Sequence, residues 1–105
     1  MLPLVLLLLS GCATSPIAGS CFNPDTSLCI EYTKPTFDAL TVRASCIYEY
    51  SAAECARDDA FLGTCPSPTI ESEEPSIIYA YYALDFDAES AASACAVIGG
   101  DWEPA

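Results

Sequence analysis

"SIIYAYYAL", residues 76–84, is the stretch that most strongly indicates a β-strand in this 105-residue chain. Isoleucine and tyrosine dominate it, and both are enriched in strands because their side chains pack well on a pleated surface. Alternation gives two opposite faces, with Ile77, Tyr79 and Tyr81 on one and Ile78, Ala80 and Tyr82 on the other. We therefore expect this segment to be a strand of the folded domain.

A helix is predicted after this strand, over residues 88–98. Asp87 can cap it by accepting a backbone hydrogen bond, and Glu89 places a negative charge in its first turn. A Gly-Gly pair at residues 99–100 ends it. One face of the helix carries mainly small side chains that can pack closely on a sheet, those of Ala88, Ala91, Ala92, Cys95 and Ile98. Trp102 then anchors the end of the chain.

A further helix and two more strands are predicted upstream. Residues 40–50, LTVRASCIYEY, alternate as in a half-buried strand. Ser51 and Glu54 form a capping box, which predicts the start of a short helix that carries Cys55. Residues 61–65 follow as another strand.

The N-terminus carries a short apolar run, residues 2–9, followed by Ser10 and Gly11. A helix that crosses a bilayer needs about 20 apolar residues, so this run is too short to span one. Its length is typical of the apolar core of a secretory signal peptide, whose small C-terminal residues give a peptidase access to the backbone. We therefore expect residues 1–11 to be a signal peptide.

Leu9, Ser10, Gly11 and Cys12 resemble the lipobox of bacterial lipoproteins. The resemblance implies that Cys12 is acylated, becomes the first residue of the mature chain and anchors it to the membrane. Two acyl chains are enough for stable anchoring. Ala13 after the cysteine implies the outer membrane, by similarity to Gram-negative lipoproteins. The alternative, a buried cysteine in an N-terminal strand, is disfavoured by the small residues around it.

The C-terminal half carries a second resemblance. The sequences FLGTC, YAYY and AC-x-x-x-GGDW, within residues 46–102, are similar to those of small, uncharacterised, cysteine-containing lipoproteins of Gram-negative bacteria. This similarity implies a fold family and a place in the cell envelope. It implies no chemistry.

The cysteines are expected to reinforce a thin core. Leu, Ile, Val and Phe occupy only 17 of the 94 positions after residue 11. With Cys12 assigned to lipid, six of the seven cysteines remain: Cys21, Cys29, Cys46, Cys55, Cys65 and Cys95. Six cysteines in a small exported chain predict three disulfides, each worth roughly 2 to 4 kcal/mol. Metal ligation is the alternative, but the chain lacks histidine and C-x-x-C spacing.

The connectivity stays open, and a local bridge between Cys21 and Cys29 across the Asn-Pro-Asp turn is one option. The predicted fold is a small disulfide-stapled α+β domain with a short antiparallel sheet and one or two short helices. It is expected to occupy residues 21–105, and residues 12–20 are expected to be a lipidated tether to the membrane.

The charge balance is strongly acidic, with fifteen acidic residues against three basic ones and a net charge of −12. Nucleic acid is excluded as a partner because its binding depends on Lys and Arg that neutralise phosphates. We expect most of the acidic residues to form a solvated face that keeps the domain soluble.

No catalytic residue, metal site or cofactor is predicted. A Ser or Cys nucleophile would lack a histidine base, and carboxylates such as Glu31, Asp38 and Glu49 would need the fold to bring them together. Residues 85–89, DFDAE, resemble the first half of a calcium loop, but the sharp-turn glycine and the bidentate glutamate of such a loop are missing. Helix capping accounts for these acids more simply.

Four aromatic residues are the candidate binding surface: Tyr79, Tyr81, Tyr82 and Trp102. They could stack against a sugar or a peptide, and packing in the core is the alternative. The sequence as a whole predicts an envelope lipoprotein with a structural or interaction role and an unknown protein partner. The alternative is a protease-inhibitor-like or ligand- or cation-binding module that presents residues 66–75 as an exposed loop.

Overall fold

The computed structural model describes residues 16–67 and 76–105. Within these ranges the chain forms six strands and two helices: β1 (Ile17–Asn23), β2 (Leu28–Thr33), α1 (Ala39–Ser45), β3 (Glu49–Ser51), β4 (Phe61–Pro66), β5 (Ile77–Tyr82), α2 (Ala88–Val97) and β6 (Glu103–Pro104). Neither of these helices is long and apolar enough to cross a membrane.

The strands form one sheet in the order β3-β1-β2-β5-β4-β6, and every neighbouring pair is antiparallel. β5, which contains the most strand-like sequence in the chain, lies at an inner position between β2 and β4. The predicted fold class, a small disulfide-stapled α+β domain with a short antiparallel sheet and short helices, is confirmed. The strands predicted at residues 61–65 and 76–84 are confirmed as β4 and β5.

The two faces of the sheet are covered by different kinds of structure. Cys21 and Tyr81 lie on the helical face, which packs against α1 and α2. Cys29 and Tyr82 lie on the opposite face, here called the loop face. Residues 52–60, here called the loop segment, cover part of the loop face without forming a helix or a strand.

Helix α2 covers the helical face through small side chains. Ala91 and Cys95 are fully buried against Tyr81, whereas Ala88 and Ile98, at the two ends of the predicted packing face, remain exposed. Small side chains allow the helix axis to approach the sheet closely. This close packing offsets the small apolar area that each side chain buries.

Both ends of α2 match the sequence prediction. Asp87 Oδ1 accepts the Ser90 N–H at 2.7 Å, and Ser90 Oγ accepts the Asp87 N–H at 2.9 Å. The hydrogen bond from the Ser90 backbone lowers the pKa of Asp87. Gly99 ends the helix with a φ of 78°, a left-handed conformation that glycine adopts without a steric penalty.

Three disulfides attach these covers to the sheet, and they join Cys21 to Cys46, Cys29 to Cys55 and Cys65 to Cys95. The first holds the end of α1, the second holds the loop segment and the third holds α2. The predicted local bridge between Cys21 and Cys29 is wrong. Both lie on adjacent strands, but Cys29 is opposite Phe22, so the two cysteines point to opposite faces.

The prediction of a strand over residues 40–50 is wrong for most of that segment. Its first part lies in α1, and only the end joins the sheet as β3. Asp38 caps the helix by accepting the Thr41 N–H at 2.7 Å, and this bond lowers the pKa of Asp38. Val42 is the one residue of α1 that is buried, so the alternation in sequence does not correspond to alternating burial.

The predicted helix that starts at Ser51 is also wrong. Ser51 Oγ accepts the Ala53 N–H at 3.1 Å, which closes a turn. The Cys55 N–H donates to the Glu31 carboxylate rather than to a helical carbonyl. Ser51 therefore stabilises a turn at the start of the loop segment rather than a helix.

The tether predicted over residues 12–20 is too long at its C-terminal end. β1 begins at Ile17, and both Ala18 and Ser20 are buried. The folded domain therefore begins before Cys21. The predicted signal peptide, the lipidated cysteine and residues 68–75 of the predicted exposed loop lie outside the described residues.

Candidate functional site

The four aromatic residues predicted as a binding surface do not lie on one surface. Tyr81 and Trp102 pack together on the helical face with ring centroids 5.9 Å apart, and Tyr79 is partly buried there. Tyr82 lies on the loop face. Burial raises the pKa of Tyr81, as expected for a phenol withdrawn from water. These aromatic residues pack in two separate clusters.

Trp102 anchors the C-terminal end of the chain by a close approach to β4. A Cβ atom at Gly63 would lie 2.7 Å from the Trp102 ring and 2.5 Å from the backbone oxygen of Glu103. Gly63 also has a φ of +150°, which favours glycine. The absence of a side chain at this position lets the indole lie directly on the strand.

The loop face contains a buried carboxylate, that of Glu31 on β2. The residue is only 1% exposed, and its Oε2 atom lies 3.0 Å from Arg57 Nη2 and 2.9 Å from the Cys55 backbone nitrogen. A buried charge is strongly unfavourable unless it is paired and hydrogen-bonded. Both of its partners belong to the loop segment, so the pair fixes that segment to the sheet.

Arg57 makes three further contacts around this ion pair. Its Nη1 donates to the Cys55 carbonyl at 2.7 Å, and its guanidinium carbon lies 4.6 Å from the centre of the Phe61 ring. Glu54 is more distant, with 3.9 Å between the charged atoms. The guanidinium is therefore turned toward the sheet, where it contacts the Glu31 carboxylate and the Phe61 ring.

Two hydroxyl groups complete the attachment of the loop segment. Tyr82 donates to the Ala56 carbonyl, and Ser20 donates to the Ala53 carbonyl at 2.8 Å. Burial raises the pKa of Tyr82 to about 12, although the nearby Arg57 charge opposes that shift. Polar contacts thus replace the regular hydrogen bonds that a helix or a strand would have supplied.

A cavity of about 430 Å³ lies beside the loop segment on the loop face. Its apolar walls include Phe22, Tyr82 and the disulfide between Cys29 and Cys55. The two aromatic rings meet edge to face with centroids 5.7 Å apart. Three carboxylates also line it, those of Glu49, Glu54 and Asp58, and all three residues are exposed. The cavity therefore joins an apolar interior to an acidic opening.

Leu84 lies on the edge of this cavity in an unfavourable conformation. Its φ is 108°, and the residue is 96% exposed. Bulky residues rarely adopt positive φ, so the backbone here is held by its neighbours. Asp85 accepts the Ser27 hydroxyl at 2.7 Å, and the Ser27 carbonyl accepts the Tyr82 N–H at 3.1 Å.

A second cavity, of about 610 Å³, has Glu31 and Arg57 in its lining together with Ile17, Ile78 and Glu103. The ion pair of Glu31 and Arg57 forms part of its polar wall. The carboxylates considered for catalysis do not share one site, since Glu49 lines the first cavity, Glu31 the second and Asp38 neither.

The residues that resemble half of a calcium loop have other partners. Asp87 caps α2, and Asp85 accepts a hydrogen bond from Ser27. Within residues 16–67 and 76–105, no three or more His, Cys, Asp or Glu side chains are grouped so that they could hold a metal ion.

Comparisons with protein-family models, with curated proteins and with solved structures find no significant match to this chain.

The pairing of Glu31 with Arg57 is the feature of the site that sequence reasoning missed. One signal was available: Glu31 lies between isoleucine and tyrosine in the apolar stretch LCIEYT. A carboxylate at an inward position of such a strand needs a cation, and the chain has only three basic residues. The three carboxylates around the cavity carry no comparable signal, because acidic residues occur throughout the chain.

Proposed function

We propose that this chain is a lipoprotein of the bacterial cell envelope, anchored by acyl chains on Cys12, with a structural or interaction role and no catalytic activity. The pairing of the cysteines carries the proposal. The six downstream cysteines pair with one another, which leaves Cys12 without a disulfide partner within these 105 residues. Acylation gives this remaining cysteine a role, and the lipobox-like residues before it support that role.

The disulfides also support export, because such bonds persist in oxidising compartments and are rare in the bacterial cytosol. In the proposed arrangement the domain lies close to the membrane, since residues 13–16 span at most about 14 Å when fully extended. Its net charge of −12 would disfavour contact with anionic lipid headgroups. Attachment to the outer membrane is part of the proposal and rests on Ala13.

The direct test is the intact mass of the protein extracted from membranes and alkylated without prior reduction. We expect a mass for residues 12–105 plus acyl chains, with no alkylated thiol. The Cys12→Ser variant is the matched control, and it should keep all three disulfides but lose the acyl mass. A full-length mass with one alkylated thiol in the unmodified chain would contradict the proposal.

A ligand-binding module is the second candidate function, and one observation favours it. The cavity beside the loop segment combines an apolar interior with an acidic opening, as expected for a binding site. The protease-inhibitor version depended on residues 66–75, most of which lie outside the described residues.

A further inference from the structure

We propose that the cavity beside the loop segment binds a small organic cation with an apolar body, such as an amine attached to an aromatic ring. The proposal specifies a ligand class for the interaction role described above. It does not depend on acylation of Cys12, because the cavity is built entirely from the folded domain.

The dimensions of the cavity suit a small molecule. A volume of about 430 Å³ lies within the usual range for ligand sites, which is about 300 to 1,000 Å³. Its walls are mostly apolar and include Phe22 of β1 and Tyr82 of β5, whose rings are in edge-to-face contact across β2. An apolar ligand body would gain from leaving water there.

The charges around the cavity favour a cation. Glu49 approaches from β3, while Glu54 and Asp58 approach from the loop segment. Arg57 does not line this cavity, and its guanidinium is paired with buried Glu31. The chain's other basic residues, Lys34 and Arg43, do not line it either. Of the three carboxylates, that of Glu54 lies 3.9 Å from the Arg57 guanidinium, so this cation offsets only part of the negative charge at the opening.

The walls of the cavity are held in place before any ligand arrives. The disulfide between Cys29 and Cys55 ties the loop segment to β2, and the Tyr82 hydroxyl is bonded to the Ala56 carbonyl. A preorganised site loses less conformational freedom on binding, which improves affinity. The aromatic faces add attraction for a cation that lies over them.

The experiment is a titration of the oxidised full-length chain, followed by amide chemical shifts in NMR spectra. If the protein is extracted from membranes, it is kept in zwitterionic micelles during the titration. The probe is 2-phenylethylamine, which is a cation at neutral pH, and the matched neutral probe is 2-phenylethanol. We expect the amine to produce saturable shifts centred on Phe22, Ala56 and Tyr82, and the alcohol to bind about tenfold more weakly.

Two matched triple variants separate a specific site from general attraction to an acidic protein. Glu49→Gln, Glu54→Gln and Asp58→Asn remove the three charges at the cavity. Asp25→Asn, Glu89→Gln and Asp101→Asn remove three exposed charges that do not line it. Both sets change the net charge by the same amount. The first set should weaken amine binding about tenfold, and the second should change it less than about twofold.

Three results would overturn the proposal: shifts spread over the whole surface without saturation, equal binding of amine and alcohol, or equal weakening by the two triple variants. Failure of this titration is distinguishable from failure of the lipoprotein proposal. The former is read from amide shifts of the folded domain, and the latter from the mass of the extracted protein.

Discussion

The helical face and the loop face of the sheet are both covered by chain that a disulfide attaches, yet the two covers are stabilised differently. On the helical face, α2 has its own backbone hydrogen bonds and a capping box, and it packs through buried alanine and cysteine side chains. On the loop face, the loop segment has no regular hydrogen bonds. It is held by the buried carboxylate of Glu31 and by the hydroxyls of Ser20 and Tyr82.

This difference shows that a helix and an irregular segment are attached to a sheet by different kinds of contact. A helix satisfies its own backbone groups, so it needs only a packing face and caps. An irregular cover needs a partner on the sheet for each buried backbone group. Here the sheet supplies those partners from polar residues at inward positions, and the cavity lies beside the segment that they hold.

The largest effect is expected for Arg57→Met. The Arg57 side chain is 35% exposed, but Glu31 is buried, so the change leaves a buried carboxylate without its cation. An uncompensated buried charge of this kind lowers the free energy of unfolding by about 4 kcal/mol. Chemical denaturation of the oxidised protein measures the change.

Arg43→Met is the matched control, because Arg43 is exposed in the last turn of α1. It should lower the free energy of unfolding by less than about 1 kcal/mol. Equal effects of the two substitutions would show that the ion pair does not hold the loop segment.

Removal of a disulfide should have the next largest effect on stability. It should also distinguish the loop segment from α2, because each is attached by its own bond. The loops closed by the Cys29–Cys55 and Cys65–Cys95 bonds are similar, with sequence separations of 26 and 30. Replacing either pair by alanine should therefore lower the free energy of unfolding by a similar amount, about 3 kcal/mol. Limited proteolysis should then cut the loop segment in the first variant and the region of α2 in the second. The same cleavage pattern in both would contradict separate covers.

Tyr82→Phe should have a smaller effect, about 1.5 kcal/mol at neutral pH, because it leaves the Ala56 carbonyl without its donor. The folded-state pKa of about 12 lies above the unfolded value of about 10. The folded state therefore holds the proton more tightly, and stability falls as pH rises from 10 to 12. Denaturation at several pH values should show a shallower fall in the variant.

Burial also raises the pKa of Tyr81 and Tyr32, so some of this alkaline fall should remain in Tyr82→Phe. Tyr48→Phe is the control, since Tyr48 is 48% exposed. An unchanged pH dependence in Tyr82→Phe would contradict the assignment of the fall to Tyr82.

The smallest effect is expected for Leu84→Gly, and it is a gain. Leu84 is 96% exposed and has a φ of 108°, so glycine loses little packing and relieves an unfavourable backbone conformation. Glycine's greater freedom in the unfolded chain offsets part of the benefit, which leaves a gain of roughly 0.5 kcal/mol. Thermal unfolding measures it, and a loss of stability would show that the Leu84 side chain contributes to the fold.

The strand β5 and the helix α2 were more predictable from sequence than the loop segment for a physical reason. The strand β5 and the helix α2 carry local signals, namely β-branched and aromatic alternation, Asp87 as a cap and Gly99 as a stop. The loop segment depends on contacts between residues far apart in the chain, such as the 24-residue separation between Glu31 and Cys55. Patterns within a short stretch of sequence do not indicate contacts between residues that are far apart in the chain.

The errors at α1 and at Ser51 have different origins. Residues 40–50 alternate in sequence, but the cap at Asp38 and the single buried contact of Val42 favour a helix there. Ser51 and Glu54 have the spacing of a capping box, yet the Cys55 amide finds a stronger acceptor in the carboxylate of Glu31. The cap of α1 is a local contact that the alternating pattern obscured, whereas at Ser51 a partner 24 residues away from Cys55 decides the conformation.

Native-state hydrogen exchange at the Cys55 amide tests most directly the claim that the loop segment is as firmly held as a helix. This amide is buried and bonded to the Glu31 carboxylate. We predict that it exchanges as slowly as the amides of β2 and β5, in step with global unfolding. Fast exchange at Cys55, with the sheet amides still protected, would show that the loop segment opens independently of the sheet and is held less firmly than a helix.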